Sequence, residues 1–257
     1  MTTLPGADPL LFSPPVGTAV GRAEEPTQDK GPVFGSSAAF LRARATFLSE
    51  IAALPRPPQS YFVAKRAIDV TLAVLIGILT LPFALLIALA IKLYDRGPVL
   101  FAQQRTGLGG QRFRMLKFRT MCVNAEEMKA ELQHLSLVAY PDFKMEDDPR
   151  VTPIGRILRA TFLDELPQLI NVIRGDMSLV GPRPTSFAAN TYSLWHTERL
   201  EAKPGITGLW QVQRSGGETC FDERLRLDVE YLRTRTVLGD VKIMLATVTS
   251  TVRRAGK

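Results

Sequence analysis

From Ala67 to Leu93 the chain carries an apolar stretch of membrane length, interrupted by Asp69 near its start and by Pro82 in its middle. About 20 apolar residues cross the hydrocarbon as a straight helix, so length alone allows one full span. The flanking charges argue otherwise. Lys65 and Arg66 precede the stretch and Lys92 and Arg96 follow it, so the positive-inside tendency gives no reason to send either end across. A helix broken at Pro82 leaves two arms of roughly 13 residues, each about 20 Å long and short of the ~30 Å core. Such arms dip in and return. A helix-break-helix over about residues 65–95 is therefore expected, with a kinked single-pass helix as the alternative. Asp69 lies within a turn of Lys65 and Arg66 and reads as their ion partner at the interface.

Residues 1–60 have a different character. Pro5, Pro9, Pro14, Pro15, Pro26 and Pro32 preclude a long helix, and no basic segment leads into an apolar core as a secretory signal requires. Met1–Ser36 is expected to be disordered. Ala38–Leu54 is predicted as an amphipathic helix, with Phe40, Leu41, Phe47, Leu48 and Ile51 against Arg42, Arg44 and Glu50, lying on a membrane or packing on the protein itself. Pro55, Pro57 and Pro58 then form a stiff spacer before a folded domain over 61–257. The formal net charge of +7 favours an anionic partner: nucleic acid, anionic lipid or nucleotide phosphate. Two cysteines and two histidines, all in unrelated contexts, argue against a disulfide framework or a structural zinc site.

Beyond the apolar stretch, Val99–Gln104 and Arg112–Phe118 read as strands joined at Gly107-Leu108-Gly109-Gly110. No acidic residue occurs between Arg96 and Thr120. Arg105, Arg112, Arg114, Lys117 and Arg119 thus form a patch of one sign beside the apolar segment, suited to lipid headgroups or an anionic phosphate, or else simply a solvated basic face. The patch lacks the aromatic set that nucleic-acid stacking needs, and no nucleic-acid partner is expected. Ala125–Leu137 reads as a polar-faced helix, and Glu146-Asp147-Asp148 as a solvated acidic turn. Ile154–Arg159 brings Arg156 and Arg159 just ahead of the next acidic pair, either to bind phosphate or to pair with it.

That pair is Asp164-Glu165, placed where Leu166, Leu169, Ile170 and Ile173 begin a helical repeat that stops at Arg174-Gly175. Two carboxylates at a helix N-terminus are ordinarily a cap and a dipole partner, worth roughly 0.3–2 kcal/mol in all. Further on, Val180-Gly181-Pro182-Arg183-Pro184 holds a guanidinium between two prolines, a restricted setting that suits bidentate phosphate recognition. Carboxylates with a fixed arginine are the parts of a phosphoryl-transfer site: one acid to attack phosphorus, one to hold Mg²⁺, and a cation for the phosphate oxygens. Lys203–Gly208 reads as a turn-rich loop leading to Trp210 and Gln211. Helices are predicted over Asp222–Arg233 and over Val237–Val252, the latter too polar to span a membrane.

Taken together, KRAIDV at Lys65, KFRTM at Lys117, LDELPQL at Leu163, GDMSLVGPRP at Gly175 and KPGITGLWQV at Lys203 resemble the monotopic bacterial phosphoglycosyl transferases. These blocks stand in the family's order from about Lys65 to Arg254. The resemblance implies an α+β, mainly helical fold: a re-entrant membrane helix, a catalytic domain with a small β-hairpin, and interfacial amphipathic helices. It implies a bacterial inner-membrane location on the cytoplasmic face and transfer of a sugar 1-phosphate from a UDP-sugar to a polyprenyl phosphate, with release of UMP, in exopolysaccharide, O-antigen or glycoprotein glycan assembly. It makes Asp164 the nucleophile that carries a phosphosugar ester, Glu165 the Mg²⁺ ligand and Arg183 the first contact for donor phosphates. Arg156, Arg159, Lys117, Arg119 and Arg105 are further candidate substrate contacts, and Pro82 is the membrane break. The family commonly has Ser-Pro there, whereas this chain has Leu81-Pro82 with Thr80 one place earlier. A catalytically dead scaffold of the same fold is the contrasting possibility, although it has no need of Asp164, Glu165 and Arg183 together. The sugar, the pathway and whether the protein forms a homodimer are not legible in these blocks.

Overall fold

A computed structural model of the protein describes residues 49, 56–132, 134, 145, 147–186, 194–213 and 221–255. Met1–Ser36 and, apart from Ser49, the predicted helix Ala38–Leu54 lie outside these residues. The elements are α1 (Gln59–Asp95), β1 (Leu100–Thr106), β2 (Arg112–Phe118), α2 (Ala125–Leu132), α3 (Pro153–Thr161), α4 (Gln168–Arg174), β3 (Ser178–Val180), β4 (Gly205–Thr207), α5 (Leu209–Gln213), α6 (Phe221–Thr234) and α7 (Val237–Ala255). Short 3₁₀ turns occupy Leu108–Gly110, Leu163–Glu165 and Leu194–Glu201. The fold is α+β and mainly helical, as expected.

Helix α1 has 37 residues and by length and composition can cross a membrane. It stays helical through Pro82 where the sequence suggested two separate arms. A proline deletes one i→i−4 bond, and the neighbouring bonds suffice to keep the element whole. Thr80 does not replace the lost donor. Its hydroxyl donates to Ile76 O at 2.7 Å, whereas the carbonyl that Pro82 leaves without its helical donor is that of Ile78.

The two ends of α1 bury themselves in two cores of the same folded unit. Ala73 joins Met115 of β2, Leu169 and Val172 of α4, Leu179 and Val180 of β3, Tyr231 and Leu232 of α6 and Ile243 of α7. Ile91 joins Phe118 and Leu158, with Ala84, Ile87 and Ala88 packed beside them. Between these anchor points Val74, Leu75, Ile76, Ile78, Leu79, Leu81, Phe83, Leu85, Leu86 and Leu89 are exposed.

Asp69 makes the first anchor specific. Its carboxylate is 5% exposed, accepts from Ser178 Oγ at 2.7 Å and from Leu179 N at 3.1 Å, and lies 3.8 Å from Lys65 Nζ. It therefore fastens α1 to β3, a larger role than the interfacial ion partner expected of it. Arg66 is not its partner: that guanidinium donates to Val172 O and Ile173 O at the end of α4, where helix carbonyls lack intrahelical donors.

Strands β1 and β2 form the expected antiparallel hairpin, in register from Leu100↔Phe118 to Thr106↔Arg112, with Gly109 at φ 62° in its turn. A second, parallel pair, β3 with β4, was not anticipated, because Lys203–Gly208 reads as a loop. Its cause is close backbone approach: a Cβ on Gly181 would lie 2.4 Å from Lys203 O, and one on Gly205 would lie 2.2 Å from Gly181 N. Any side chain larger than glycine at either position pushes the strands apart.

Candidate active site

The acidic pair does not cap a helix. Helix α3 ends at Phe162, which adopts a left-handed conformation with φ 59°, and the chain then makes a 3₁₀ turn over Leu163–Glu165. Helix α4 begins only at Gln168, after Pro167, and neither carboxylate makes a side-chain cap there. The ordinary explanation for Asp-Glu at this position, a helix N-terminus, is therefore not realised.

Instead both carboxylates meet one cation. Lys117 Nζ, on β2, donates to Glu165 Oε1 at 2.7 Å and lies 3.5 Å from Asp164 Oδ2. Asp164 is only 7% exposed. Burial raises its pKa above the usual carboxylate range, the Lys117 ammonium pulls it back, and neighbouring Glu165 adds to the rise. The lysine thus opposes the rise that burial imposes on the carboxyl.

The register that places Lys117 comes from Asn171, which is fully buried on α4. Its Oδ1 accepts from Leu116 N at 2.9 Å, and its Nδ2 donates to Arg114 O at 2.8 Å and to Asp176 Oδ2 at 3.1 Å. One amide thus fixes the backbone on the N-terminal side of Lys117. Sequence reasoning missed it, although an Asn set between Leu169 and Val172 on an apolar helix face is a signal of buried polar work.

The other cations divide between support and access. Arg159 Nε donates to Thr120 Oγ1 at 2.9 Å; burial around its guanidinium lowers its pKa while the Asp164 carboxylate opposes that shift, which places Arg159 in the field of the nucleophile candidate. Helix α3, which carries Arg159 and the exposed Arg156, is set by Thr152, whose Oγ1 accepts from Gly155 N at 2.9 Å. Arg119 is taken up by Asp95: its Nη1 donates to Asp95 Oδ2 at 2.6 Å and its Nη2 to Oδ1, which locks the end of α1 to the chain after β2. It was expected at substrate, but it is buried and acts as a brace. Arg105 donates to Gln103 Oε1 at 2.7 Å on its own strand. In the acidic turn Asp148 is held by Arg150 at 2.7 Å, so it serves the fold.

Arg183 is exposed and makes no ion pair with Asp164 or Glu165 among the described residues. Its guanidinium lies 6.0 Å from the centre of the Trp210 ring, within cation–π range. It lines a shallow surface depression with Thr106, Gly107, Pro182, Thr185 and Pro204. The structure thus joins Lys117, Asp164 and Glu165, whereas Arg183 lies by the turn end of the hairpin, beside Thr106 and Gly107.

Among the described residues no cluster of three or more His, Cys, Asp and Glu side chains gathers to hold a metal. The fit to magnesium rests on chemistry of another kind. Two hard carboxylates already converge on a cation, and Mg²⁺ is commonly held by one or two carboxylates with water and substrate phosphate completing the shell.

Residues 60–254 match the bacterial sugar transferase family. The chain is 41% identical over 245 residues to a UDP-glucose:undecaprenyl-phosphate glucose-1-phosphate transferase of Caulobacter vibrioides, covering 92% of this chain and 83% of that protein. It is 44% identical over 190 residues to galactosyl transferase CpsE of Streptococcus agalactiae serotype III, covering 74% of this chain and 42% of the relative. It is also 38% identical over 231 residues to an undecaprenyl-phosphate galactose phosphotransferase of Salmonella typhimurium, covering 88% and 48%. The chain therefore spans less than half the length of the two galactose-named relatives.

Proposed function

The chain belongs to the bacterial sugar transferase family, and from that premise we propose that it transfers a sugar 1-phosphate from a UDP-sugar to undecaprenyl phosphate, releasing UMP, in the first membrane step of exopolysaccharide or related glycan assembly. The observation that carries this is the meeting of buried Asp164 and its neighbour Glu165 at Lys117. In the first half-reaction an Asp164 carboxylate oxygen attacks the β-phosphorus of the donor. The bond from that phosphorus to the bridging oxygen breaks, and UMP leaves with the bridging electrons. An oxygen of the lipid phosphate then attacks the same phosphorus, displaces Asp164 and forms the polyprenyl diphosphate sugar. Glu165, with Asp164 beside it, is the residue to hold Mg²⁺, whose chemistry is to neutralise phosphate charge. Lys117 favours the ionised form of Asp164, and Arg183 receives the donor phosphates.

The same reading places the protein on the cytoplasmic face of the inner membrane, with α1 re-entrant. One feature supports it. Both ends of α1 are packed into one folded unit, through Asp69 and Ala73 at one end and Ile91 and Asp95 at the other. The exposed apolar residues of α1, from Val74 to Leu89, lie between these two anchors, so the re-entrant reading keeps both ends with the same folded unit.

The relatives' names include both glucose and galactose, so the donor sugar is found by assay. Purified protein with Mg²⁺, undecaprenyl phosphate and a panel of UDP-sugars should release UMP with at least one donor. A lipid-dependent release of UMP with none of them refutes the transferase assignment, and a lipid product lacking the diphosphate linkage refutes the chemistry.

A further inference from the structure

Arg183 sits between Pro182 and Pro184, which fix φ at their own positions and bias Arg183 towards extended ψ but leave Gly181 φ and Pro182 ψ open. The direction in which the arginine points must therefore be set from outside the segment. Four backbone groups from 180 to 183 have partners. The two in the middle belong to β4 and its neighbour: Gly181 N donates to Thr207 O at 2.9 Å, and Pro182 O accepts from Gly205 N at 2.9 Å. The two at the ends lead to α6. Val180 O lies 3.1 Å from Tyr231 Oη, and Arg183 O accepts from Arg199 Nη2 at 2.7 Å. Arg199 is in turn paired with Asp228 at 2.6 Å, both being at most 5% exposed.

Asp228 and Tyr231 are three apart on α6 and so share a face. From the same helix Arg224 lies 5.1 Å from the centre of the Trp210 ring over which Arg183 rests at 6.0 Å. The single proton of the Tyr231 hydroxyl is shared between Val180 O and Asp240 Oδ1 at 2.8 Å, and the other Asp240 oxygen accepts from Tyr61 at 3.0 Å and from Lys65 at 2.9 Å. None of these side chains touches Asp164 or Glu165.

We infer that one face of α6, acting directly through Tyr231 and through the Asp228–Arg199 pair, is the positioning device that aims Arg183 at the diphosphate of the donor. Tyr231 and Arg199 are positioning residues: they hold the carbonyls at the two ends of the segment, and their effect on the ligand passes through the arginine. This inference rests on the proposed UDP-sugar donor.

The test is a double-mutant cycle on the full chain, with UDP itself as the probe and its affinity measured by calorimetry at saturating Mg²⁺. Tyr231→Phe, which keeps the buried ring, and Arg199→Gln should each weaken UDP binding by about five- to tenfold in the wild-type background and by less than about twofold when Arg183 is already Ala. A general structural role predicts equal losses in both backgrounds, and that result overturns the inference while leaving the donor assignment intact. Thermal melts recorded alongside confirm folding. Tyr231→Phe decides alone where Arg199→Gln does not yield folded protein, since it removes a single hydroxyl. Wild-type protein that binds no UDP overturns both the donor assignment and the inference built on it.

Discussion

Replacing Asn171 tests the framework that puts Lys117 opposite the two carboxylates. Asn171→Ala removes an acceptor from Leu116 N and a donor from Arg114 O, both on β2, in a place with no solvent to take over. Leaving a buried donor or acceptor unpaired costs about 1–3 kcal/mol each, and the small cavity adds about 1 kcal/mol, so a loss of about 3–7 kcal/mol is expected. For a folded unit of this size that corresponds to roughly 6–28 °C in melting temperature. Asn171→Leu restores volume without the hydrogen bonds and should recover no more than about 1 kcal/mol of it. Differential scanning fluorimetry in detergent measures the melts, and UMP release at a temperature where both variants are folded should fall with them, because Lys117 loses its register. A melting temperature for Asn171→Ala within about 2 °C of wild type refutes the assignment of Asn171 as the clamp between β2 and α4.

Three further outcomes are expected. The rate of UMP release should fall on the acid side through a pKa above the ordinary carboxylate range, since burial favours neutral Asp164 and only the ionised form attacks; Lys117→Met removes the ammonium that opposes the rise, so its acid limb should lie at higher pH, and a limb that moves down contradicts this. Glu165→Gln should impair turnover in a way that added Mg²⁺ partly relieves, and a loss that ignores metal concentration from micromolar to molar argues against Glu165 as the ligand. Pro82→Leu restores the missing helical bond and should stiffen α1 so that it spans in part of the population, exposing a cysteine placed near Thr27 to outside labelling; labelling of the otherwise wild-type protein already refutes the re-entrant topology.

Much of the site is local in sequence and was legible there. Asp164 and Glu165 are adjacent, the hairpin announces itself through its glycines, and Pro182 and Pro184 bracket Arg183. What escaped was long-range pairing. Lys117 meets Glu165 across 48 residues and Leu116 meets Asn171 across 55, distances over which charge and periodicity carry no registration. The helix start was misplaced by a few residues for a local reason: Leu166 and Leu169 keep helical spacing through Pro167, but the left-handed Phe162 sends the chain into a 3₁₀ turn before α4 forms. The β3–β4 pair was hidden because three-residue strands have no alternation to read, and only the near-contact of Gly181 and Gly205 reveals why both are glycine. Arg119 shows the converse. It lies in a motif of the resemblance and in a basic run, yet its guanidinium faces Asp95, an acid that precedes the run and belongs to α1.

The central claim is that Asp164 becomes covalently attached to the phosphosugar, and intact-protein mass spectrometry of the full chain with UDP-sugar and Mg²⁺ but no lipid acceptor tests it most directly. Wild type should gain the mass of one sugar phosphate while releasing a stoichiometric amount of UMP, and the adduct should disappear on adding undecaprenyl phosphate. Asp164→Asn retains the shape of the side chain and removes the attacking charge, so it should fold, show no adduct and lose turnover by several orders of magnitude, on the order of 10³-fold or more. Full turnover in Asp164→Asn, or an adduct mapped to any other residue, contradicts the claim.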